Sequence, residues 1–156
     1  MKTKIIILIY ATLLFSCKQN KQEQIVNELL NVDKEFSALS VEKGKNHAFL
    51  TYMHKDVTIL ENKSMPIEGK ETVAKMYENE PDSDYTLKWK PLRATAAASG
   101  DLGYTYGMWM YSTSDTSLLG TYITIWKKNE QGAWKFILDT GNVGLGKDEE
   151  KEKEQF

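Results

Sequence analysis

The chain has 156 residues, of which 41% are hydrophobic and 27% charged, so it can build the core of one ordinary domain and is not a disordered chain. Its formal net charge of −2 excludes the strongly basic composition typical of nucleic-acid binders, and we predict no nucleic-acid partner. A single cysteine excludes both an internal disulfide and a cysteine-based zinc site. Because the chain has only two histidines as well, we predict no metal and no cofactor.

The N-terminus has the pattern of a secreted protein. Two lysines precede an apolar run at 5–15, which is shorter than the about 20 residues that a membrane-spanning helix needs. The run stops just before Cys17, and this junction resembles the lipobox of bacterial lipoproteins, whose cysteine becomes acylated. We predict a lipoprotein signal peptide at 1–16 and lipidation of Cys17. A plain secretory signal followed by a chance cysteine is the alternative.

The predicted anchor indicates a location in the bacterial cell envelope. Acyl chains on Cys17 hold a protein at a membrane surface, because each buried methylene contributes about 0.8 kcal/mol. Lys18 stands where some inner-membrane lipoproteins carry aspartate, which favours the outer membrane, with the domain in the periplasm or at the cell surface. Residues 17–22 are interpreted as a polar tether, and 144–156 as a charged, disordered tail.

Helical periodicity dominates the first half of the remaining chain. Apolar residues spaced three and four apart predict an amphipathic helix at 22–42. Asn46 is a suitable N-cap for a short second helix, and a β-branched run at 56–61 predicts a strand. A third helix is predicted to open at Gly69 and to end before a proline, since the residue preceding proline avoids the helical region.

The second half has the pattern of a sheet. Strands are predicted at 85–98, 102–113, 121–128 and 133–140, and the first of them is interrupted near Pro91. Helices followed by strands indicate an α+β fold with a mostly antiparallel sheet. Both faces of the strand at 102–113 carry large apolar groups, so we expect both to be covered, by helices, a tail, a partner subunit or a ligand.

Three segments form a pattern known from other proteins: YMHKDVTI at 52–59, EGKE at 68–71 and, most specifically, GDLGYTYG at 100–107. Together with the order of the predicted elements, they resemble the nuclear-transport-factor-2-like, or SnoaL-like, superfamily over about 24–142. Within it, the sequence is most similar to the branch catalogued as domain of unknown function 4440. We therefore assign one such domain to 23–143.

The resemblance implies an α+β cone, in which a strongly bent, mixed or antiparallel sheet wraps over about three N-terminal helices and leaves a pocket between. Members often dimerise through the sheet, so the expected partners are a small-molecule ligand of unknown identity and a second copy of the chain. Relatives include ketosteroid isomerase, polyketide cyclases, limonene epoxide hydrolase and scytalone dehydratase. Others bind without catalysing a reaction, and the fold alone does not settle the function.

Two carboxylates are candidate general bases. By the resemblance, Glu61 matches the proton-shuttling carboxylate of ketosteroid isomerase, whose pKa an apolar cone would raise; alternatively Glu61 is an exposed residue at a strand end. Asp139 lies among apolar residues, where an inward position is costly unless the group is paired; alternatively it faces water or pairs with Arg93. The helix tyrosine of the isomerase corresponds to Phe36 or Ser37 here, so steroid isomerisation by that mechanism is not expected.

Aromatic residues are the candidate pocket wall. Trp109 and Tyr111 come first, because they share a strand face with Gly103 and Gly107, whose missing side chains allow strong curvature. His54 either forms a polar dyad with Asp56 at the mouth of the cone or is a surface histidine beside a helix end. The remaining candidates for ligand binding are Tyr52 and three sheet tyrosines that could also donate hydrogen bonds: Tyr104, Tyr106 and Tyr122.

Three functions remain open at this stage. A lipid-anchored module that binds a small apolar or amphipathic molecule is favoured by the aromatic strands and by the missing helix tyrosine. The second is an isomerase, cyclase or hydrolase of the SnoaL-like type with Glu61 or Asp139 as base. The third is a structural envelope protein whose cone is filled by its own side chains, which predicts no cavity of roughly 300 Å³ or more.

Overall fold

The structure, a computed structural model, describes the backbone of residues 2–148, 151, 152 and 156, and the side chains of residues 21–147, 151, 152 and 156. Its helices are α1 Lys2–Lys43, α2 Lys45–Tyr52 and α3 Lys70–Glu78, with a short 3₁₀ helix at Gly146–Asp148. Its strands are β1 Met53–Leu60, β2 Ile67–Glu68, β3 Thr86–Ala96, β4 Leu102–Ser112, β5 Ser117–Lys128 and β6 Trp134–Val143.

The N-terminal predictions concern a region of which only the backbone is described. The helix predicted at 22–42 is the second part of α1, so the segment interpreted as a tether has a helical backbone. The acylation of Cys17 depends on a side chain outside the described part and stays a prediction, as does the tail at 144–156, of which only part is described. Among the described residues, no helix combines the length and the apolar character needed to cross a membrane.

The predicted N-cap of α2 is wrong. Gly44, with φ 86°, occupies that position, and no side chain caps the helix. A positive φ is readily available to glycine, which lets the chain turn directly from α1 into α2. Asn46 instead lies in the first turn, where its side-chain amide donates to the carbonyl oxygen of Glu80 at 2.8 Å and ties α2 to the segment after α3.

The strands form one mixed sheet in the order β2-β1-β6-β5-β4-β3, which confirms the predicted α+β class. All neighbours are antiparallel except β1 and β6, which run parallel with Thr58 opposite Leu138. The register shifts between Pro91 and Arg93, as the interruption near Pro91 predicted, and again between Ile125 and Trp126. Such bulges bend a strand and increase its twist, and this curvature leaves a concave side that α1 covers.

One end of the concave side is filled by a cluster of aromatic rings around Phe36 of α1. The Phe36 ring lies 4.5 Å from that of Trp89, 4.9 Å from that of Phe49 and 5.4 Å from that of Phe136. Trp126 is fully buried in the same cluster, and its indole N–H donates to the Thr105 hydroxyl at 2.8 Å. We call this filled region, around Leu29, Phe36, Trp126 and Phe136, the closed end of the cone.

Two serines fix α1 to the edge strand. The Ser37 hydroxyl donates to the carbonyl oxygen of Trp89 at 2.8 Å, and the Ser40 hydroxyl to that of Leu87 at 2.7 Å. Both serines are buried, so these bonds satisfy groups that would otherwise lose water without replacement. Because they hold the helix at a fixed distance from β3, they position the space that opens beyond Phe36.

Candidate functional site

A cavity of about 390 Å³ opens on the concave side beyond Phe36, and we call this region the open end of the cone. Its size falls within the range of about 300–1,000 Å³ typical of small-molecule sites. Six aromatic rings line it besides Phe36: Phe49, Tyr77, Trp89, Trp109, Tyr111 and Tyr122. The polar side chains that reach it are few, and the charged ones are Lys45, Glu61 and Asp139.

The indole of Trp109 forms part of the wall because two glycines make room for it. Trp109 lies opposite Gly120 on β5, where an added Cβ would collide with the indole and with the carbonyl oxygen of Asn142. At Gly141 on β6 an added Cβ would come within 3.0 Å of the indole nitrogen. The indole N–H donates to the carbonyl oxygen of Thr121 at 3.1 Å, so the ring is held against the sheet and leaves the space above it open.

Asp139 provides a carboxyl group at the base of the cavity. The sheet register places it opposite Thr124, whose hydroxyl donates to Asp139 Oδ2 at 2.6 Å. No hydrogen bond to Oδ1 comes from the described part of the chain. Burial raises the pKa of Asp139 to about 7, the Thr124 hydroxyl opposes this rise, and nearby Asp33 adds to it. The group therefore exchanges a proton near neutral pH while facing an apolar cavity.

A second carboxyl group, Asp33 of α1, lies fully buried beside the cavity. Trp89 donates its indole N–H to Asp33 Oδ1, and Tyr122 donates its hydroxyl to Oδ2, both at 2.7 Å. Burial raises the pKa of Asp33, while hydrogen bonds from Thr105, Tyr122 and Trp89 act in the opposite direction. This network fixes the orientation of two rings that line the cavity, and it commits the Tyr122 proton to Asp33.

The mouth of the cavity carries a lysine and several acids. Lys45 Nζ lies 4.2 Å from the centre of the Tyr77 ring, a distance that allows a cation–π interaction. Burial lowers the pKa of Lys45, whereas the charges of Glu61, Glu80 and Asp82 raise it. Burial also raises the pKa of Tyr77, with smaller contributions from Asp139 and Glu61, so its hydroxyl stays protonated at neutral pH.

Five of the residues singled out from the sequence meet at this cavity. Trp109, Tyr111 and Tyr122 line its wall, Asp139 lies at its base, and Glu61 directly follows β1 at its mouth. Glu61 is exposed, so it lacks the burial expected of a general base inside the cone. Asp139 has that burial instead, although its alternative interpretation was an exposed strand end.

Four other candidates lie elsewhere. Tyr104 and Tyr106 project from the convex face of β4, each 38% exposed, and do not line the cavity. The Tyr52 ring packs against Phe36 with centres 5.0 Å apart, within the closed end. His54 borders a separate pocket of about 360 Å³ at the start of β1, which shares no lining residue with the cavity.

The predicted dyad of His54 and Asp56 is present as a contact outside the cone. His54 Nδ1 lies 3.6 Å from Asp56 Oδ2 and accepts the backbone N–H of Asp56 at 3.2 Å. The Asp56 side chain is 73% exposed, so water screens this pair. Lys70 and Lys135 border the same pocket, but they donate to carbonyl oxygens at the end of α2, which gives them a structural role.

Sequence reasoning missed three residues that shape the site: Asp33, Lys45 and Trp89. Asp33 had a detectable signal, because it lies four residues after Leu29 and three before Phe36, on the buried stripe of the helix. An acid on such a stripe must find partners inside the protein. Lys45 carried no comparable signal, since its position depends on how α2 turns at Gly44.

The donor set at the cavity is poor in metal ligands. Within the described residues, no three histidine, cysteine or acidic side chains lie close enough together to hold an ion. The charged groups that line it are the carboxyl groups of Asp139 and Glu61 and the ammonium group of Lys45, beside the tyrosine hydroxyls. They can bind an organic molecule, donate or accept a proton, and form ion pairs.

Comparison with solved structures identifies the fold. The chain superposes on a nuclear-transport-factor-2-like protein of unknown function from Shewanella oneidensis with a TM-score of 0.57 and 18% identity, covering 76% of this chain and 97% of that one. A ketosteroid isomerase-like protein from Erwinia carotovora atroseptica gives 0.56 and 15%, covering 75% and 97%. An LEH-like epoxide hydrolase from M. tuberculosis gives 0.55 and 10%, covering 77% and 81%.

These similarities define the class of the protein: it has the nuclear-transport-factor-2-like fold, as the sequence resemblance implied. At such low sequence identity, the similarities show a shared fold and indicate no particular activity. No family model matches the chain, and no curated protein matches it either. The function therefore has to be argued from the cavity itself.

Proposed function

We propose that this protein binds a small, largely apolar or amphipathic molecule in the open end of the cone. The observation that carries the proposal is the cavity of about 390 Å³, whose wall is mostly aromatic and aliphatic. A cone filled by its own side chains would leave no such space, so the cavity favours binding over a purely structural role. Hydrogen bonds to Asp33 fix Trp89 and Tyr122, and the Trp109 indole packs against Gly120 and Gly141. These fixed rings support a preformed site.

Native mass spectrometry of the full chain, purified gently from cells, tests this function. We expect a bound small molecule, and we expect Leu118→Trp to reduce its occupancy, because Leu118 lines the cavity and is 42% exposed. Leu92→Trp is the matched control, since Leu92 is 53% exposed and does not line the cavity. Equal occupancy in both variants would contradict binding in this cavity.

A second candidate, proton-transfer catalysis, is favoured by one observation. Asp139 faces the cavity with a pKa of about 7, which suits a general base near neutral pH. A substrate oxygen that becomes negatively charged during the proton transfer would also need a hydrogen-bond donor. The N–H of Trp109 and the hydroxyl of Tyr122 are already committed, whereas Tyr77 donates to no other group of the described residues. Asp139→Asn would then abolish turnover of a bound substrate but retain its binding.

The envelope location also belongs to the proposal. We propose that Cys17 is acylated after removal of 1–16, and that the domain belongs to the branch of domain of unknown function 4440, on the motifs at 52–59, 68–71 and 100–107. Metabolic labelling with a fatty acid should mark the wild-type chain and leave Cys17→Ser unmarked. Labelling of both, or of neither, would contradict the lipid anchor.

We further propose a homodimer through the convex face of the sheet. Four apolar side chains there are about two-fifths exposed and lie on neighbouring strands: Leu102, Tyr104, Tyr106 and Ile123. Exposed apolar patches commonly mark an interaction surface. Sedimentation should give a dimer for wild type and a monomer for Ile123→Glu, and a wild-type monomer at high concentration would overturn the proposal.

A further inference from the structure

We infer that the ligand of the open end is an organic cation, a small molecule whose ammonium group lies against Asp139 and whose apolar part contacts the aromatic wall. This inference rests on the proposed binding function and names the chemical class that the cavity selects. It follows from three observations: an acid without a counter-ion, a lysine whose charge is balanced elsewhere, and a wall of aromatic rings.

The first observation is that the acids beside the cavity have no positive partner. Neither Asp139 nor Asp33 takes part in any of the ion pairs within the described part of the chain. Asp33 is satisfied by neutral donors on both of its oxygens. Asp139 has a donor only on Oδ2, and its residue lines the cavity. A cation in the cavity would supply the missing partner at Oδ1.

The second observation concerns Lys45, the only cation that lines the cavity among the described residues. Its charge interacts with Glu61, Glu80 and Asp82 at the mouth, and its ammonium group lies over the Tyr77 ring. The mouth therefore carries more acids than bases, and an anionic ligand would have to pass them. An anion bound deep in the cavity would in addition face Asp139 and Asp33.

The third observation is the aromatic wall. Trp89 and Trp109 are directly opposite each other on β3 and β4, and both line the cavity with Tyr77, Tyr111 and Tyr122. The face of an aromatic ring carries partial negative charge and attracts organic cations, most strongly where water is excluded. Rings of this kind bind an ammonium group bearing carbon substituents better than they bind a hydrated metal ion.

The charged and titratable groups around Asp139 set the direction of its pH dependence. They come from the elements packed around the site: Asp33 from α1, Lys45 from α2, Tyr77 from α3, Glu61 after β1, Tyr111 from β4 and Tyr122 from β5. Burial raises the pKa of Tyr77 and of Tyr122, so these two hydroxyls stay neutral in the range of interest. Cation affinity should therefore rise with pH as Asp139 loses its proton.

Binding can be measured through the fluorescence of the tryptophans in the wall. The probe is phenyltrimethylammonium, whose charge does not titrate, and the control ligand is tert-butylbenzene, which has the same shape without charge. For the full chain, we expect the cation to bind at least about tenfold more tightly at high pH than at low pH, across the pKa of Asp139 near 7, and to exceed the neutral probe at high pH.

Variants test whether the charge of Asp139 causes the preference for the cation. Asp139→Asn should remove both the pH dependence and the preference for the cation. Thr124→Val deletes the donor to Asp139 Oδ2, which should raise the pKa of Asp139 and move the binding midpoint to higher pH. Glu71→Gln is the control, because Glu71 is an exposed acid on α3 that does not line the cavity. Because water screens its charge, we expect its removal to change cation affinity by less than about threefold.

The possible outcomes distinguish this inference from the proposed function. If tert-butylbenzene binds as tightly as the cation at every pH, the cavity binds ligands but the cation inference is overturned. If neither probe changes the fluorescence at any concentration, both the binding function and the inference fail. The wild-type pH titration decides the matter even if Asp139→Asn does not fold.

Discussion

The closed and open ends of the cone are built from the same helix and the same sheet, yet they differ in whether their buried polar groups are fully hydrogen-bonded. At the closed end, the buried N–H of Trp126 is paired with Thr105, and the Phe36 ring packs against the rings of Trp126 and Phe136. At the open end, Asp139 Oδ1 accepts no hydrogen bond from the described part of the chain, and the glycines at 120 and 141 leave only enough room for the Trp109 indole, so the space above that ring stays open. The comparison indicates that the fold gains its stability at one end and keeps a binding site at the other.

The largest expected effect separates the two ends with the same substitution. Leu29→Ala removes a fully buried side chain from the closed end and should lower the free energy of unfolding by about 2–5 kcal/mol. Leu118→Ala at the open end, where the side chain is 42% exposed, should cost less than about 1 kcal/mol. Urea denaturation measures both, and equal losses would show that the open end is packed as tightly as the closed one.

A second effect depends on pH. The pKa of Asp139 is raised from 3.8 to about 7, so between these values the native state holds a proton that the unfolded chain has released, and stability falls as pH rises. The full penalty is present above the native pKa and amounts to at most roughly 4 kcal/mol. Asp139→Asn should therefore gain stability over wild type as pH increases, in thermal melts taken from acid to mildly alkaline pH.

The control for this pH effect is Glu61→Gln, because Glu61 is exposed at the same cavity. Because water screens an exposed charge, its stability profile should depart from that of wild type far less than the profile of Asp139→Asn does. If the two variants depart from wild type equally little, the carboxyl group of Asp139 is solvated in the native protein, and the contrast between the two ends is smaller than the structure indicates.

The network of Asp33 lies where the two ends meet, and its loss should have an intermediate effect. In Asp33→Asn the side chain keeps one acceptor oxygen for two donors, Trp89 and Tyr122, which should cost about 2 kcal/mol, the typical value of a hydrogen bond to a charged group. Glu35→Gln, an exposed change on the same helix, should have no measurable effect. Equal stability of Asp33→Asn and wild type in urea would rule out this role.

The smallest expected effect concerns Gly141, one of the two glycines against which the Trp109 indole packs. In Gly141→Ala the new Cβ would lie 3.0 Å from both the indole nitrogen of Trp109 and the carbonyl oxygen of Thr121, so the ring must move by a few tenths of an ångström. We expect a loss of about 1 kcal/mol, at the low end for overpacking, and a larger relative change in ligand affinity. Unchanged affinity would show that Trp109 does not form the binding wall.

The fold was largely readable from the sequence, because it depends on local patterns. The apolar spacing of α1, the turn residues around β4 and the interruption at Pro91 all lie in contiguous segments. The grouping of Trp109 and Tyr111 with Gly103 and Gly107 followed from the two-residue period of a strand. That period separates two faces but does not reveal which face meets the helix, so Tyr104 and Tyr106 were included although they point outward.

The chemistry of the site was less predictable, because it depends on contacts between distant segments. The pairing of Asp139 with Thr124 requires the register after the bulge at Ile125, which no local pattern reveals. The burial that raises the pKa of Asp139, and that Glu61 lacks, is a property of the assembled cone. Both acids were candidates from the sequence, but no local pattern indicated which of them is buried.

The parallel pairing of β1 with β6 also bears on how the chain folds. Because Thr58 meets Leu138 only after nearly all of the intervening chain is in place, this contact has a high sequence separation and a large loop-closure cost. Hairpins β3–β4 and β4–β5 can form from short loops, whereas we expect the strand that leads to Glu61 to dock onto β6 last. We therefore expect the cavity to be completed in a late kinetic step. A ligand of the cavity should then lower the unfolding rate, while the rate of the initial collapse during refolding stays the same.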